Sequence, residues 1–545
     1  MNAAETAGPA TLENSILRLA AGDEVAVATR DLTAGTMLRT AGVTADAAPG
    51  GAPGGAPEST PGGTPGGTPG ATTLEVRATV PRGHKIALAD VRAGSPVHKY
   101  GQSIGRALTD IRRGDHVHVH NLGMDEVRQD YEFGTARVTP GVPDGGRPTF
   151  QGYRRANGKV GTRNYVGIIT SVNCSASTAR MIADQFRGAA LDAFPNVDGV
   201  FALTHGSGCG MVLGSAGAEV LVRTLRGYAQ HPNFAGLLVL GLGCEMLQTE
   251  RFIDAGTSAG LIERLTIQDS GGIRATVKAG AALIQRMLPA IDALQREPVD
   301  VSELVLGLNC GGSDGYSGIT ANPALGVASD LLVGYGGTSV LAETPEVFGA
   351  EHLLTRRAVS PDVGRRLLDR LAWWQDYAAA GGGSLDNNPS PGNKAGGLTT
   401  ILEKSLGAVA KAGQAELSAV YEYAEPITSR GLVFMDTPGY DPVSVTGIVA
   451  GGANVVCFTT GRGSVFGCKP VPSIKLGTNT ELYNKMPEDL DMNCGVIVDG
   501  GATVQELGER IFARILEVAS GQQTVSEELD LGQEEFVPWQ LGTVT

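Results

Sequence analysis

The sequence has 545 residues, a net charge of −14 and 42% hydrophobic residues. At about 100–200 residues per domain, this length predicts two to four domains, and the hydrophobic fraction excludes a globally disordered chain. The acidic balance, without any block of lysine or arginine, disfavours a nucleic-acid-binding protein, because such proteins present a basic surface.

The first residues, the most apolar run and the cysteines predict the cellular compartment of the protein. The first residues contain no basic segment followed by an apolar run, which argues against a signal peptide. The most apolar run, FAGLLVLGLGC, is too short to span a bilayer. Seven cysteines, an odd number in a long chain, are typical of reduced thiols. We therefore expect a cytoplasmic protein with no membrane partner.

The first predicted unit is a small all-β domain over residues 14–122, which follows a disordered tail over 1–13. An aliphatic stretch followed by Asp, an aliphatic residue, two variable residues and Gly recurs from Asp31, Asp90 and Asp110, as expected for strands that enter tight turns. The tract over 49–70 contains nine Gly and six Pro in 22 positions. This composition predicts a disordered insert over about 44–72 within the β domain.

The remaining chain predicts α/β structure. A polar, Gly/Pro-rich stretch over about 123–150 is interpreted as a linker. Beyond it, apolar strands such as YVGIIT and GVFAL alternate with Gly/Cys-rich loops and helices, including one predicted near 276–295. Because this pattern restarts after Glu297-Pro298, we predict two α/β domains, over 151–298 and 299–545.

Four of the cysteines directly follow predicted strands. They are Cys174, Cys209, Cys244 and Cys310. Ligands of open α/β sheets bind beyond the carboxyl ends of the strands, so these thiols could share one site. Together with His205 and Glu245 they could bind iron, zinc or an iron–sulfur cluster. The alternative is that they are small apolar residues that pack the loops.

Histidines mark two further candidate positions. His116, His118 and His120 alternate in HVHVHN, and on a strand this spacing places all three side chains on one face. They could bind a metal or transfer protons, or they could form an exposed polar strand face. His84 and Lys85 lie in a turn-like PRGHK, where Lys would suit a substrate carboxylate and His a general acid or base.

Three later loops also carry polar groups. The segment NPSPGNKAGG over 388–397 is too rigid and polar for a core element, and Arg462 in GRGS could hold an anion together with backbone N–H groups. Glu343 and Glu346 could act as a base or as metal ligands, or could simply be solvated. The sequence contains neither a Rossmann nor a P-loop fingerprint, so no nucleotide cofactor is predicted.

With these motifs the chain resembles the altronate/galactarate dehydratase family over nearly its full length. The motifs that carry the resemblance are GHK (83–85), HVHVHN (116–121), GTRN (161–164), GCG (208–210), GLGCE (241–245), CGGSDGYSGITANP (310–323), NPSPGNKAGG (388–397) and FTTGRGS (458–464). HVHVHN, GYSGITANP and FGAEHLL are similar to the altronate branch, whereas SVNCSAS, THGSGCGM and GRGSVFG depart from it.

The resemblance implies a fold and an activity. It implies an α/β multidomain protein in which residues 14–122 form an N-terminal SAF-type β-clip domain before two α/β layers. It also implies a homo-oligomeric sugar-acid dehydratase that uses Fe(II) or Mn(II) to convert an aldonate, D-altronate first, to a 2-keto-3-deoxy acid. Galactarate or another aldarate and a sulfonated hydroxy acid are alternative substrates. A sugar-acid-binding protein without turnover is the alternative from another class.

Dehydration of an aldonate requires a base for the proton α to the carboxylate, an acid for the leaving hydroxyl, and cations that stabilise the intermediate. On this hypothesis the acid and base are His84 or His205, and Lys85 and Lys394 hold the carboxylate. The predicted metal ligands are Cys174, Cys209, Cys244, Glu245 and Cys310, with Glu343, His116 and His118 as alternatives. The predicted substrate contacts are Arg163, Asn164, Ser313, Asp314, Asn388, Asn393 and Arg462.

Overall fold

The computed structural model of the protein describes five stretches of the chain. They are residues 14–39, 73–125, 130–142, 146–253 and 259–542. The tail predicted over 1–13 and the insert predicted over 44–72 lie outside these stretches. Within them, no helix combines the length and the apolar character that a membrane span requires.

The N-terminal part consists of short antiparallel strands in three small sheets, ordered β1-β2-β5-β8, β3-β4 and β6-β7-β9. The strands are β1 (Ile16–Leu17), β2 (Val25–Ala28), β3 (Met37–Arg39), β4 (Thr73–Glu75), β5 (Lys85–Ala87), β6 (Pro96–Lys99), β7 (Gln102–Ala107), β8 (His116–Val117) and β9 (Leu122–Gly123). Val25 pairs with Ala87, and Arg39 pairs with Thr73. Strands from both sides of the predicted insert therefore form the same sheets.

The recurring Asp-to-Gly pattern forms the turns of this part. The carboxylate of Asp90 accepts the backbone N–H of Arg113 in another copy of the pattern, and Asp110 accepts that of Ala93, both at 2.8 Å. The final glycine of each copy has a positive φ, 80° at Gly94 for example, which residues with a Cβ rarely adopt. The pattern thus specifies turns that hydrogen-bond to one another.

The middle part is a four-stranded parallel sheet, ordered β13-β12-β14-β15, with helices beside it. Its elements are β10 (Thr149–Arg154), β11 (Val160–Gly161), β12 (Tyr165–Thr170), α1 (Ala176–Ala183), β13 (Gly199–Leu203), α2 (Ala216–Ala229), β14 (Phe234–Gly241), β15 (Leu261–Thr266), α3 (Ile273–Asp292) and β16 (Glu297–Asp300). All eight residues of β14 are buried, as expected for a central parallel strand. Helix α3 buries Ile284, Met287, Leu288 and Ile291 on one face, and Leu283, which the sequence places on the same face, is partly buried.

A small antiparallel sheet, β11-β10-β16, links the middle and C-terminal parts. In it Phe150 pairs with Val299. The boundary that we predicted at 298 therefore falls inside β16 rather than in a loop.

The C-terminal part is a seven-stranded, fully parallel sheet, ordered β19-β20-β18-β17-β21-β22-β23. Its elements are β17 (Val305–Cys310), α4 (Ala321–Gly334), β18 (Thr338–Leu341), α5 (His352–Thr355), α6 (Pro361–Ala380), α7 (Pro391–Ala395), α8 (Ile401–Val409), β19 (Leu417–Tyr421), β20 (Gly431–Met435), α9 (Asp441–Gly451), β21 (Val455–Thr460), β22 (Ser473–Gly477), α10 (Thr480–Lys485), β23 (Met492–Asn493), α11 (Val504–Ala519) and α12 (Val525–Glu528). The predicted sequence of a β-rich N-terminus followed by parallel α/β structure is confirmed.

Candidate active site

The strand order of the seven-stranded sheet indicates where a ligand binds. From β17 the chain first builds outward on the side of β18, and it later places β21 on the other side. Open α/β sheets bind ligands beyond the carboxyl ends of the strands at such a reversal. Strand β17 ends at Cys310, and the residues that follow β17 and β21 are Gly311–Asp314 and Gly461–Ser464, which belong to two of the predicted loop motifs.

Three histidines of the N-terminal part form a cluster. One ring nitrogen from each of His84, His116 and His118 lies within 4.8 Å of the others. Strand β5 pairs with β8 so that Lys85 faces Val117, and this pairing brings His84 beside His116. Strand β8 ends at Val117, earlier than the alternating pattern predicts, but the rings of His116 and His118 still stack with centroids 5.4 Å apart.

The hydrogen bonds of the cluster leave lone pairs for a metal. His84 Nε2 lies 3.2 Å from the carbonyl of Ala395, which can only accept, so this nitrogen carries the proton and the lone pair is on Nδ1. Nδ1 faces His116 Nε2 at 3.1 Å. His118 Nδ1 is buried and has no hydrogen-bond partner among the described residues. A ligand histidine that donates its other N–H to a carbonyl is typical of metal sites.

Burial keeps these imidazoles neutral. Desolvation, together with the neighbouring imidazole of His84 and the ammonium of Lys85, lowers the pKa of His116 to about 4. Desolvation also lowers the pKa of His118 to about 3. Neutral imidazole is the form that binds a metal, so the cluster suits a divalent cation.

The N-terminal part packs closely against loops of the C-terminal part. The hydroxyl of Tyr316 donates to the carbonyl of Ala28 at 2.7 Å, and Thr400 donates to the carbonyl of Ile104 at 2.6 Å. A Cβ added at Gly315 would lie only 2.0 Å from the carbonyl oxygen of Gly83. The backbone next to His84 therefore touches the loop that follows β17.

A buried ion triad supports this contact. Lys85 Nζ and Lys99 Nζ lie 2.8 Å and 2.9 Å from the two oxygens of the Glu403 carboxylate, and all three side chains are almost completely buried. Lys85 also donates to the carbonyl of Gly397 at 2.7 Å. These partners occupy the ammonium of Lys85, which we had expected to hold a substrate carboxylate.

Two cations beside the histidine cluster have no such partners. Lys394 precedes Ala395, and Arg462 Cδ would lie 3.2 Å from a Cβ added at Gly396. Neither side chain makes a hydrogen bond or an ion pair with the described residues, and Arg462 is exposed. They are therefore available to an anionic ligand.

The other predicted contacts in this region mainly position the loops. Asp314 is buried and accepts hydrogen bonds from Ser317, Thr478 and Asn479, which satisfy its carboxylate. Asn393 Nδ2 donates to the carbonyl of Ser313 at 2.9 Å and so joins the loop after β17 to α7.

A second cluster is buried beyond the carboxyl ends of β17 and β18. Cys310 Sγ lies 3.6 Å from an oxygen of Glu343 and 3.6 Å from an oxygen of Glu346. Lys411 Nζ lies 2.8 Å from the sulfur and 3.1 Å from Glu343, and Lys404 Nζ lies 2.7 Å from Glu346. Because two ammonium groups already neutralise this cluster, it is less suited to a metal than the histidines are.

The pKa values of the two glutamates of this cluster are shifted in opposite directions. Burial raises the pKa of Glu343 to about 8, against the opposite effect of Lys411. For Glu346, burial also opposes the charge, but the ammonium groups of Lys404 and Lys411 outweigh it and lower the pKa. Paired acids whose environments separate their pKa values are typical of acid–base sites.

The backbone of Glu343 is also unusual. Its φ of 68° lies in the left-handed region, which a residue with a Cβ adopts at a cost of about 1–3 kcal/mol. One oxygen of its carboxylate, Oε1, is buried without a hydrogen-bond partner among the described residues. Strain and an unpaired buried oxygen at the carboxyl end of a strand indicate a functional position.

Comparison with known families fits this arrangement. The sequence model of "Altronate/galactarate dehydratase SAF domain" matches residues 65–125, that of "D-galactarate dehydratase/Altronate hydrolase, second domain" matches 152–292, and that of "D-galactarate/Altronate dehydratase, C-terminal" matches 301–544. The chain belongs to the altronate/galactarate dehydratase family. The predicted enzyme class, a hydro-lyase, is thereby confirmed.

Individual relatives of this chain are named for different substrates. The chain is 38% identical to altronate dehydratase of Bacillus subtilis (strain 168) over 460 residues, 84% of this chain and 91% of the relative. It is 40% identical to galactarate dehydratase (L-threo-forming) of Escherichia coli (strain K12) over 468 residues, 84% and 90% of the two chains. It is also 34% identical to the (2R)-sulfolactate sulfo-lyase subunit beta of Chromohalobacter salexigens over 394 residues, 71% and 96%.

Among the described residues, the five predicted metal ligands do not form one group. Cys310 is in the buried cluster, whereas Cys174, Cys209 and Cys244 are exposed at the edge of the other parallel sheet. The carboxylate of Glu245 is occupied, because it accepts from Ser171 Oγ and from the N–H of Gly243, both at 2.6 Å. Burial opposes its charge, but these hydrogen bonds lower the pKa of Glu245.

His205, a predicted acid or base, is held by the backbone. Its Nε2 lies 3.0 Å from the carbonyl of Thr170, and its Nδ1 accepts the N–H of Ser207 at 3.2 Å. Burial lowers its pKa to about 4. Both ring nitrogens of His205 are thus engaged by backbone groups of the loops at this sheet edge, and its role as an acid or base stays a prediction.

Arg163 and Asn164, predicted substrate contacts, precede β12 and lie at the end of the sheet opposite to the strand-terminal loops. Arg163 forms a buried ion pair with Glu527 at 2.6 Å. The side-chain amide of Asn164 donates to the carbonyls of Asn196 and Ile291. Both side chains hold the structure together and do not face the candidate site.

The two buried lysines of the Cys310 cluster were not predicted from the sequence. Lys404 and Lys411 lie in and just after α8, in which every residue is buried. Lysines within an apolar helical segment are the signal that could have revealed them, since lysine is rarely buried unless it is paired. Asn388, predicted as a substrate contact, bridges Glu346 and Lys404 at 2.8 Å each.

Proposed function

We propose that the protein is a sugar-acid dehydratase that converts an aldonate, D-altronate first, to a 2-keto-3-deoxy acid. The observation that carries this proposal is that neutral histidines, unpaired cations and an acid cluster all lie in or beside the loops after β17, β18 and β21. Removal of a proton α to a carboxylate, followed by loss of the β-hydroxyl, requires these three kinds of group.

We assign the divalent metal, Fe(II) or Mn(II), to His84, His116 and His118. The unpartnered Nδ1 of His118 and the lone pair on Nδ1 of His84 support this assignment. The bound metal would act as a Lewis acid toward an oxygen of the substrate. Lys394 and Arg462 lie beside the cluster and would hold the substrate carboxylate.

The acid cluster would transfer the protons. The pKa of Glu343, near 8, leaves its carboxyl able both to give and to take a proton near neutral pH. Lys411 holds the second oxygen of that carboxyl and would orient it. Cys310, whose sulfur contacts both Glu343 and Lys411, would stay a neutral thiol, because burial raises its pKa to about 12.

A substrate panel tests the proposal. The purified protein is incubated with D-altronate, galactarate and (2R)-sulfolactate, with and without Fe(II) or Mn(II), while release of a 2-keto acid and of sulfite is measured. We expect the protein to release a 2-keto acid from D-altronate only when the metal is present. The Glu343→Gln variant should lower kcat by about 100-fold to 10,000-fold, the range of general acid–base catalysis.

Other outcomes of the panel would contradict the proposal. Sulfite release from (2R)-sulfolactate alone would assign a sulfo-lyase instead. Tight binding of sugar acids without turnover, with or without metal, would indicate a binding protein. Full turnover in Glu343→Gln would remove that residue from proton transfer.

A further inference from the structure

The four-stranded sheet of the middle part has a ligand-binding edge of its own. The chain adds β13 on one side of β12 and then β14 on the other side, in the order β13-β12-β14-β15. The loops after β12 and β14 therefore flank a second position at which the strand order reverses, where open α/β sheets bind ligands. Cys174 follows β12, Cys209 follows β13 and Cys244 follows β14. The proposed dehydratase chemistry uses none of the three.

Contacts next to the cysteines tie these three loops together in pairs. A Cβ added at Gly208, the neighbour of Cys209, would lie 2.2 Å from the carbonyl oxygen of Ser171. The carbonyl of Gly208 accepts the N–H of Leu247 at 3.1 Å. The carboxylate of Glu245, the neighbour of Cys244, accepts from Ser171 Oγ at 2.6 Å. Each pair of loops therefore touches within three residues of its cysteines.

The three thiols are exposed, which is unusual for free cysteine, one of the most frequently buried residue types. The other four cysteines, Cys310, Cys457, Cys468 and Cys494, are all buried. Exposure is therefore confined to the thiols of one sheet edge, and packing does not explain why cysteine occupies these three positions.

We propose that Cys174, Cys209 and Cys244 bind an iron–sulfur cluster of the four-iron type at this edge. Thiolates are the protein ligands of such clusters. A single ion with bonds of about 2.3 Å to sulfur joins thiolates no more than about 4.6 Å apart. Among the described residues, these three sulfurs do not form a group within 4.8 Å. A cluster of several irons can join thiolates that lie further apart than a single ion allows, and three cysteines leave one iron open to a non-protein ligand.

Support for a bound group also comes from the surface around the thiols. Val212, Met246 and Ile273 lie in or directly after loops at the same sheet edge, and their exposed fractions are 51%, 46% and 54%. Large apolar side chains at this edge would limit the access of water to a cluster bound there. Access of solvent is one of the properties that tune such clusters.

The test uses the full chain, purified without oxygen from cells grown with ample iron. We expect on the order of four irons and four acid-labile sulfides per chain, the composition of a four-iron cluster. Cys174→Ser, Cys209→Ser and Cys244→Ser should each lose most of the sulfide, whereas Cys310→Ser, the matched control at the other sheet, should keep it. Unchanged circular dichroism shows that the variants are folded.

Alkylation of the unsubstituted protein provides a second measurement that does not depend on folding of the variants. If the cluster is bound, iodoacetamide should modify the three exposed thiols only after iron is removed, as read by mass spectrometry. Iron without labile sulfide, or equal alkylation before and after iron removal, would overturn the proposal. So would equal loss of sulfide in Cys310→Ser. Because no readout is turnover, failure here is distinguishable from failure of the proposed function.

Discussion

At the scale of single residues, the candidate site depends on which atoms are left unpaired. The carbonyl of Ala395 fixes the proton of His84 on Nε2, and His118 Nδ1 has no partner among the described residues. These two details separate the histidine cluster from the Cys310 cluster, in which lysines already contact the ligand atoms. We therefore assign the divalent metal to the imidazole nitrogens rather than to the sulfur of Cys310.

The His118→Ala variant should lose bound divalent metal and turnover. Loss of groups that only support metal ligands costs about 10–100-fold, so loss of a ligand should cost about 100-fold or more. The matched control is His120→Ala, since His120 is exposed and lies outside the cluster. Metal content and kcat are measured for both variants. Equal metal content in the two would argue against the assignment.

The two histidine motifs were recognisable in the sequence, but their proximity in the fold was not. GHK and HVHVHN are visible as separate motifs, and only the β5–β8 pairing joins them. Register depends on packing and turns, which one sequence does not reveal. In contrast, the placement of Arg163 and Asn164 was predictable, because GTRN precedes its strand and ligands bind where parallel strands end.

At the scale of elements, the ion triad of Lys85, Lys99 and Glu403 joins strands of the N-terminal part to α8. Burial opposes the charge of Glu403, but the two ammonium groups hold its pKa well below the usual range. Its contribution to stability is therefore present at neutral pH and is lost only as the pH falls below the ordinary carboxyl range.

Glu403→Gln should destabilise the protein strongly. It leaves two buried ammonium groups without a counter-charge, which costs about 3–5 kcal/mol. Glu297→Gln is the control, since it breaks an ion pair with Arg154 in which both side chains are about half exposed and should cost about 1 kcal/mol or less. Urea unfolding at pH 7 measures both, and similar losses would contradict a stabilising triad.

Deletion of residues 46–71 should leave the melting temperature and turnover nearly unchanged. Arg39 and Thr73 are already paired across this segment, and closing a shorter loop costs slightly less entropy. A large loss of melting temperature would show that the segment stabilises the fold.

At the scale of the whole molecule, the proposed site is shared between parts of the chain that are distant in sequence. The metal ligands come from the N-terminal strands, and the cations and acids come from loops of the seven-stranded sheet. Close contacts such as Gly315 against Gly83 hold the two halves in register. Sequence periodicity predicts each half by itself, but such interdomain contacts leave no periodic signal.

The Gly315→Ala variant tests whether the site depends on this close contact between the two halves. The added Cβ would have to move the Gly83 backbone, and a shift of about 1 Å can cost on the order of 100-fold in rate. Metal affinity should fall less than kcat, because all three histidines belong to the N-terminal part and shift together relative to the cations and acids. Gly22→Ala is the control, since a Cβ there meets nothing within 4 Å. Loss of metal affinity in parallel with kcat would argue for general disruption.

The most direct test of the account is the position of the metal in a crystal grown with Mn(II). Anomalous diffraction would locate the ion independently of activity. We expect a peak within bonding distance of nitrogens of His84, His116 and His118. A peak between Cys310, Glu343 and Glu346, with the three histidines free of metal, would contradict it.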